Sequence, residues 1–289
     1  MIQDEKYADD EQLVLAFKPN PVTSPSKAKK QMENCIEEIR VFLEKNKLCN
    51  NSDKTEFLIM GSKNQLKHLN VNSIQVNNIN INRAQSVRNL GVMFDMNMSM
   101  ESQVNKMCRN VYFNIRNISK TQKFLSKANL KTVVNALVTP HLDYGNSLLY
   151  RIPKKLVDKL QVAQNSAVRL IEKLGKYDNV SAYRRDLHWL PIPAPIKYKI
   201  LTTTWKIVNN QAPNYLKDLV CLRENGHDLR NDLMLTPPDV HNHNDLVDRA
   251  FFRSAPSLWN SLPNALRKQE KLNTFKKNLK THLLKKNFN

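Results

Sequence analysis

The first hundred residues alternate short apolar runs with turn-forming residues, which predicts a small α+β region. Residues 7–10 (YADD) would form the tip of a hairpin with its return strand at residues 12–17, because Asp favours turns and Leu-Val-Leu-Ala-Phe fits a buried strand. Ser24 followed by Pro25 is typical of a helix start. Apolar residues spaced by three and four predict that this helix runs to about Lys47 with one buried face.

Two further strands and a second hairpin are predicted before residue 100. Apolar runs at residues 55–60 and 90–94 favour strands. Across residues 71–81, pairs of Asn divide the apolar positions, which is typical of a short hairpin.

From Ser99 onward the pattern predicts helices. Apolar positions recur in steps of three and four over residues 100–118, and a second helix is predicted at residues 128–138, before Pro140. A third apolar stripe runs over residues 153–174. The basic side chains between these stripes predict a helical bundle with one basic wall. They include Lys106, Arg109, Arg116, Lys120, Lys123, Lys127, Lys131, Lys155, Lys159 and Arg169.

The periodicity is weaker beyond Gly175. Pro191 forbids a helix through residues 187–191, so these predict a turn or strand end, followed by a short helix at residues 194–208. Residues 221–248 are polar and predict a loop. A last helix carries the apolar positions Leu272, Phe275, Leu279 and Leu283, and Trp205 and Trp259 fall at apolar positions that predict core packing.

Positive charge is concentrated in two blocks of this chain. Lys and Arg number 45 against 26 Asp and Glu in 289 residues. Residues 101–176 hold 14 basic and 4 acidic side chains, and residues 249–289 hold 10 and 1, whereas the two remaining blocks are nearly neutral. A polyanion partner explains such blocks, since each phosphate contact by Lys or Arg releases counterions. The alternative is that the basic side chains only keep helix surfaces hydrated.

Scarce residue types exclude several classes of protein. Only five Gly are present, widely spaced, so a phosphate-binding loop or a dinucleotide fingerprint is excluded. The four Cys form no C-x-x-C pair, which indicates neither a zinc ribbon nor a disulfide framework and favours a reducing compartment. No apolar run approaches the roughly 20 residues of a membrane helix, and the N-terminus does not resemble a signal peptide. The sequence therefore predicts a protein that is neither secreted nor membrane-bound.

The sharpest chemical feature is the pair Asp9-Asp10. Adjacent carboxylates on a hairpin tip repel one another, and divalent cations relieve that repulsion. Two Mg²⁺ ions about 4 Å apart, clamping the attacking and leaving oxygens, are the recurring catalytic device of polymerases. The alternative interpretation is an acidic surface turn.

Residues 7–10 resemble the aromatic-x-Asp-Asp box of reverse transcriptases, and further stretches are similar to the non-LTR, LINE-type retrotransposon enzymes of the jockey and chicken-repeat kind. In chain order these are residues 52–61 (SDKTEFLIMG), 86–95 (SVRNLGVMFD), 141–150 (HLDYGNSLLY), 187–192 (LHWLPI), 249–251 (RAF) and 255–263 (APSLWNSLP). The resemblance covers nearly the whole chain, and several boxes in the right order are more specific than one.

The resemblance implies an α+β partial polymerase palm in residues 1–98, a mainly α-helical, basic thumb in residues 99–176 and a C-terminal extension in residues 177–289. Asp9 and Asp10 would be ligands of two Mg²⁺ ions. Lys54 matches a lysine that assists pyrophosphate departure in related polymerases, although an ordinary surface lysine is an equal alternative. The primer-gripping strand would lie near residues 90–95.

The expected partners are an RNA template, a DNA primer and their RNA–DNA hybrid, with no membrane and no small-molecule cofactor. An intracellular, nuclear or cytoplasmic ribonucleoprotein is the expected setting. The basic side chains predicted to bind nucleic acid are Arg109, Arg116, Lys120, Lys123, Lys127, Lys131, Lys276, Lys277 and Lys280.

The family's catalytic site also needs an earlier Asp on an upstream palm strand, and this chain begins six residues before Tyr7. Asp4 is too close to the hairpin tip to lie on a separate strand, and Asp95 lies downstream and fits a later box of the family, so neither supplies this carboxylate. The isolated chain is therefore predicted to be inactive as a polymerase. The alternative to the enzyme is a catalytically inactive nucleic-acid-binding fragment or a decayed copy.

Other groups of residues give weaker signals. Cys221, His227, His241 and His243 could ligate zinc, but their spacing fits no knuckle. His188 and Trp189 could stack on a base, although a Trp beside Leu and Pro is more often core. Tyr112 and Phe113, beside Arg109 and Arg116, could contact a primer–template backbone.

Overall fold

The computed structural model describes residues 2–7, 10–17, 25–67, 69–223, 233–238 and 245–288. About 58% of the protein is helical, and its sheets are small and antiparallel. The chain divides into two compact units, residues 1–102 and residues 103–289.

The first unit contains three two-stranded antiparallel hairpins, one long helix and one short helix. The strands pair β1 with β2, β3 with β4 and β5 with β6. The elements are β1 (Ile2–Tyr7), β2 (Asp10–Leu15), α1 (Pro25–Lys45), α2 (Lys63–Lys67), β3 (Ser73–Val76), β4 (Ile79–Asn82), β5 (Ser86–Asn89) and β6 (Val92–Asp95).

The hairpin predicted around residues 7–10 is confirmed, with Tyr7 paired to Asp10 across its end. Its return strand is not buried as expected. Leu13 to Leu15 are only half-buried, and β1 is exposed beyond Ile2. A two-stranded ribbon is too small to bury its own side chains, so they stay in solvent wherever no other element packs on its faces.

The other two hairpins are closed by residues with left-handed backbone. Asn77 and Asn78 have φ values of 50° and 61° and join β3 to β4, which confirms the hairpin predicted across residues 71–81. Leu90 and Gly91 have φ values of 43° and 84° and join β5 to β6. The strand predicted at residues 90–94 therefore starts only at Val92, because its first two residues form the turn.

The strand predicted at residues 55–60 is wrong. Residues 55–60 form only an isolated bridge between Phe57 and Arg83. The apolar run serves packing instead, since Ile59 joins Leu66, Leu69 and Val71 in a small core.

Helix α1 confirms the predicted helix, but its apolar stripe is covered unevenly. Near its first half, Glu33 Oε1 accepts a hydrogen bond from the backbone N–H of Gln75 at 2.8 Å, which joins the helix to β3. Ala28 is its one buried residue, whereas Phe42 is 61% exposed. The short hairpins are too small to cover a helix of 21 residues.

In the described residues of the second unit, the regular secondary structure is helical, apart from one isolated bridge between Leu222 and Leu235. Short 3₁₀ turns follow α3 (Gln122–Phe124) and α5 (Asn146–Leu149). The helices are α3 (Glu101–Thr121), which begins just before the unit, α4 (Lys127–Leu137), α5 (Thr139–Asp143), α6 (Lys154–Glu172), α7 (Ser181–Asp186), α8 (Pro193–Val208), α9 (Asn214–Lys217), α10 (Asp245–Arg249), α11 (Phe251–Asn260), α12 (Asn264–Arg267) and α13 (Leu272–Phe288).

The predicted helices at 100–118, 128–138, 153–174, 194–208 and around 272–283 correspond to α3, α4, α6, α8 and α13. Helices α10 and α11 were not predicted. Residues 245–249 fall in the segment expected to be a loop, and Pro256 lies inside α11, where it hides the helical pattern.

Helix α8 lies at the centre of this unit and packs against α11, α13 and the 3₁₀ turn at Asn146–Leu149. Trp205, Trp259 and Phe275 are completely buried, with ring centroids 5.9 Å apart from Phe275 to each Trp. Each indole N–H is satisfied by a backbone carbonyl, that of Gln269 for Trp205 and that of Leu233 for Trp259. The prediction that both Trp are core is confirmed.

Residues 177–289 share one compact unit with the preceding helices from Gln103 onward. Within the described ranges, no helix is both long enough and apolar enough to cross a membrane.

Candidate nucleic-acid interface

The hairpin with the predicted catalytic box presents an exposed end. Tyr7 is 68% exposed and Asp10 is exposed beside it, whereas Asp9 lies outside the described residues. On the same ribbon, Lys6 Nζ lies 3.0 Å from Glu11 Oε1 and 3.4 Å from Asp4 Oδ2. The hydrogen bond to Glu11 and the two carboxylate charges raise the pKa of Lys6, so its positive charge offsets part of the negative charge of the ribbon.

Of the two predicted magnesium ligands, only Asp10 lies in the described residues. Within those residues, no three His, Cys, Asp or Glu side chains lie close enough together to hold a metal ion. The two-ion centre stays a prediction.

Lys54 is exposed at the end of a 3₁₀ turn, Ser52–Lys54. Asn51 caps this turn by accepting the backbone N–H of Asp53, and Asn77 Nδ2 donates to Ser52 Oγ at 2.9 Å. The turn is thus fixed to the β3–β4 hairpin, and the role of Lys54 in pyrophosphate departure stays a prediction.

Asp95 is a structural residue. Its carboxylate accepts hydrogen bonds from the backbone N–H groups of Asn97, Ser99 and Met100, at 3.2, 2.8 and 2.8 Å, and from Ser99 Oγ at 3.1 Å. These bonds hold the chain at the start of α3, where Met100 has a φ of 63°. Its carboxylate is fully engaged as an acceptor there.

Helix α3 presents one face that combines basic and aromatic side chains. Its opposite face is buried through Val104, Met107, Val111 and Ile118. Residues spaced by three, four and seven positions share a helix face. The exposed face extends over about 16 Å and comprises Arg109, Tyr112, Phe113, Arg116 and Lys120.

Two aromatic rings on this part of the surface are strongly exposed. Phe113 is 63% exposed, and Phe124, in the 3₁₀ turn after α3, is 77% exposed. Lys123 Nζ lies 4.9 Å from the centroid of the Phe124 ring. Exposed rings among cations are the combination on which unpaired bases stack.

A basic groove lies between the C-terminal ends of α3 and α6, with a volume of about 610 Å³. Gln122 Nε2 donates to the carbonyl of Leu170 at 2.8 Å and holds the two helices together there. The groove is lined by four cationic side chains and by no carboxylate, and the four are Lys120, Lys123, Arg169 and Lys173. Coulomb attraction to a phosphate is therefore not offset within the lining.

The helix end positions two of these cations. Lys173 is the C-cap residue of α6 and has a left-handed φ of 54°. Arg169 Nε donates to the carbonyl of Gly175 at 3.1 Å, and its Nη2 donates to that of Asp178 at 3.3 Å. These contacts fix the guanidinium beside the groove.

The other predicted nucleic-acid-binding residues lie elsewhere in the helical unit. Lys127 Nζ is 2.6 Å from Glu172 Oε2, so its charge is paired, and Lys131 is half-buried on α4. Lys276 and Lys277 are on α13, and Lys280 of that helix lines a separate cavity. The structure thus joins Lys120 and Lys123 in the groove, with Arg109 and Arg116 on the adjoining helix face, and leaves the remaining five outside the groove.

Sequence reasoning missed two residues of the groove as site residues. Arg169 was placed on the basic wall but not in the binding set, and Lys173 was not recognised at all. The i, i+4 spacing of these two cations at the end of a predicted helix was a usable signal, because cations favour the last turn of a helix.

The four thiols are unpaired in disulfide terms, and only one of the possible zinc ligands lies in the described residues. Cys35, Cys49, Cys108 and Cys221 are free thiols, and burial raises the pKa of Cys108. Cys221 is exposed, while His227, His241 and His243 lie outside the described residues.

Comparison with protein-family models matched none of them, and comparisons with curated proteins and with solved structures likewise gave no match.

Proposed function

We propose that the helical unit binds the phosphate backbone of nucleic acid through its basic groove and the adjoining face of α3. The observation that carries this proposal is the lining of the groove, where Lys120, Lys123, Arg169 and Lys173 meet without a carboxylate. Four cations at one concave site repel each other, and a polyanion relieves that repulsion.

The aromatic side chains of the same surface favour nucleic acid over other polyanions. Phe113 and Phe124 are exposed beside the cations, and Tyr112 is 38% exposed on the same helix face. A purely anionic polymer such as a sulfated polysaccharide offers no base for these rings to stack on, whereas a primer–template end or a single strand does.

The proposal is tested by measuring binding of an RNA–DNA hybrid at several salt concentrations, by fluorescence anisotropy. The variant reverses three groove charges together, Lys120→Glu, Lys123→Glu and Lys173→Glu. Because each lost phosphate contact lowers the slope of log affinity against log salt by about one, we expect a slope shallower by about three and an affinity at least about 100-fold weaker.

The matched control reverses three exposed lysines of the first unit, Lys27→Glu, Lys63→Glu and Lys67→Glu, with the same change of net charge. It should bind the hybrid within about threefold of the unaltered chain at moderate salt, because charges far from a phosphate are screened. Equal losses in both triple variants would show that net charge, and not the groove, is responsible.

We further propose that this chain is the C-terminal portion of a non-LTR retrotransposon reverse transcriptase, with nucleotidyl transfer carried out by the complete parent enzyme. The support is the resemblance of six ordered boxes, the last being the C-terminal signature of residues 249–251 and 255–263, together with a hairpin whose strands end at Tyr7 and Asp10. Asp9 and Asp10 are the proposed Mg²⁺ ligands. An inactive binding fragment or a decayed copy remains the alternative.

Templated primer extension separates these two alternatives. The isolated chain is expected not to extend a primer. Extension by a longer protein that contains this chain, lost in Asp9→Ala while hybrid binding persists, would support the polymerase. A longer protein whose extension is unchanged in Asp9→Ala would contradict the assignment of the box.

A further inference from the structure

A second concave site lies within the helical unit, where residues 141–150 meet residues 187–192. It is a cavity of about 490 Å³ between the 3₁₀ turn at Asn146–Leu149, helices α6 and α8, and one side chain of α13. Leu142, Leu149 and Ile196 give it apolar walls. A volume of this size is in the range of small-ligand sites, which are mostly apolar with a few polar groups.

Asn146 places an unpaired polar group at this cavity. The side chain lines the cavity and is 4% exposed, and its Oδ1 has no hydrogen-bond partner among the described residues. A buried acceptor without a partner is unfavourable, because it has lost its hydrogen bonds to water. A ligand that donates a hydrogen bond to this oxygen would remove that penalty.

The neighbouring amide of Gln164, in contrast, has hydrogen-bond partners within the protein. Gln164 Nε2 donates to the carbonyl of Leu190 at 3.0 Å, and its Oε1 accepts from Gln161 Nε2 at 2.8 Å. Gln164 therefore supports the wall, while Asn146 retains capacity for a ligand.

An aromatic ring and two cations complete the lining. Trp189 is half-buried, and Lys199 and Lys280 are exposed, one on α8 and one on α13. Asp143 is the one carboxylate among the lining residues. The half-buried Tyr198 phenol also lines the cavity, and burial raises its pKa.

We propose that this cavity binds a single unpaired nucleotide, with the base among the apolar walls beside Trp189 and the phosphate at Lys199 and Lys280. A base has a flat apolar face for stacking and edge N–H groups that an amide oxygen accepts, and its phosphate complements the two cations. The inference deepens the proposed nucleic-acid function and rests on it, but it concerns a site distinct from the groove.

The chemistry fits an unpaired residue of a strand and a free nucleotide alike. The experiment therefore titrates the full chain with two probes, uridine monophosphate and a single-stranded pentauridylate. Tryptophan fluorescence reports the site, because Trp205 and Trp259 are completely buried and Trp189 alone is open to quenching. Binding of both probes indicates a strand residue, and binding of the mononucleotide alone indicates a free nucleotide.

Two variants test the assignment. Asn146→Leu keeps a similar side-chain volume and removes the unpaired oxygen, and the pair Lys199→Glu with Lys280→Glu alters only exposed side chains. We expect each to weaken nucleotide binding at least tenfold. The matched control, Lys268→Glu with Lys271→Glu, reverses two exposed lysines of the same unit outside the cavity and should bind nucleotide unchanged.

The proposal would be overturned if inorganic phosphate competed for the site as well as the nucleotide does. It would also be overturned if the lysine pair variant bound nucleotide unchanged, or if the groove triple variant lost nucleotide binding. The lysine pair keeps the test decisive if Asn146→Leu does not fold. Failure of the groove proposal is distinguishable, because hybrid binding would then be weakened equally in the groove and control triple variants, while nucleotide would still quench Trp189 in the unaltered chain.

Discussion

Several residues near the proposed binding surfaces have left-handed backbone conformations. Gly145, Lys173 and His188 have φ values of 64°, 54° and 56°, and each stands where a helix or turn ends beside the groove or the cavity. Asp95 acts similarly at the start of α3, where its carboxylate binds three backbone N–H groups and one hydroxyl. Residues of this kind fix the path of the backbone, and Lys173 and His188 also line the groove and the cavity themselves.

Replacing Asp95 by Ala should lower the free energy of unfolding of the first unit by about 2–3 kcal/mol, because the N–H of Met100, a residue only 1% exposed, loses its partner. The measurement is urea denaturation. Glu56→Ala, at an exposed position of the same unit, is the control and should change stability by no more than about 0.5 kcal/mol. Equal effects of the two substitutions would contradict the capping role.

At the scale of elements, the end of α6 combines a strained backbone with two cations of the proposed binding groove. Lys173 carries one of the four groove charges in a left-handed conformation, which disfavours residues other than Gly. The following turn contacts Arg169 through two carbonyl groups. The helix end thus presents two cations to one groove, at a cost in backbone energy.

Lys173→Gly should therefore raise the free energy of unfolding by about 1 kcal/mol while weakening hybrid binding, since it relieves the strain and removes a cation. Lys155→Gly, at a right-handed position in the first turn of the same helix, is the matched control. It should lower stability by no more than about 1 kcal/mol, because Gly is unfavourable in a right-handed helix. Thermal denaturation and anisotropy together measure both effects, and destabilisation by Lys173→Gly would be the contrary result.

At the scale of the whole molecule, charge divides along the same boundary as the compact units. Residues 1–102 hold 13 basic and 13 acidic side chains, so the entire excess of 19 positive charges lies in residues 103–289. The first unit has a small core and several exposed apolar side chains, among them Phe42 and Leu48. Binding to polyanions is therefore expected to belong to the helical unit.

A protein of residues 99–289, which keeps all of α3, should bind the RNA–DNA hybrid within about threefold of the full chain at equal salt. Residues 1–102 alone should bind at least about 100-fold more weakly, since they have no net charge with which to attract phosphate. Anisotropy measures both, with circular dichroism to show that each piece is folded. Comparable binding by the folded first unit would contradict this division.

Local periodicity and turn chemistry in the sequence determined much of the secondary structure. The stripes of α3 and α6, the Asn-Asn turn between β3 and β4, and the hairpin that ends at Tyr7 and Asp10 follow from residues within a few positions of one another. Such short-range preferences are strong wherever an apolar period is long or a turn needs a left-handed residue. The sequence also determined the basic character of the helical unit, because net charge depends on composition alone.

Only the tertiary structure decided which of the basic residues share a site. Lys123 and Lys173 meet in one groove, Lys127 is paired with Glu172, and Asn146 and Lys280 reach the same cavity across more than 100 positions of the chain. These juxtapositions depend on which helix packs against which. That choice is made by burial of apolar surface, which is non-directional and leaves no pattern within a short stretch of sequence.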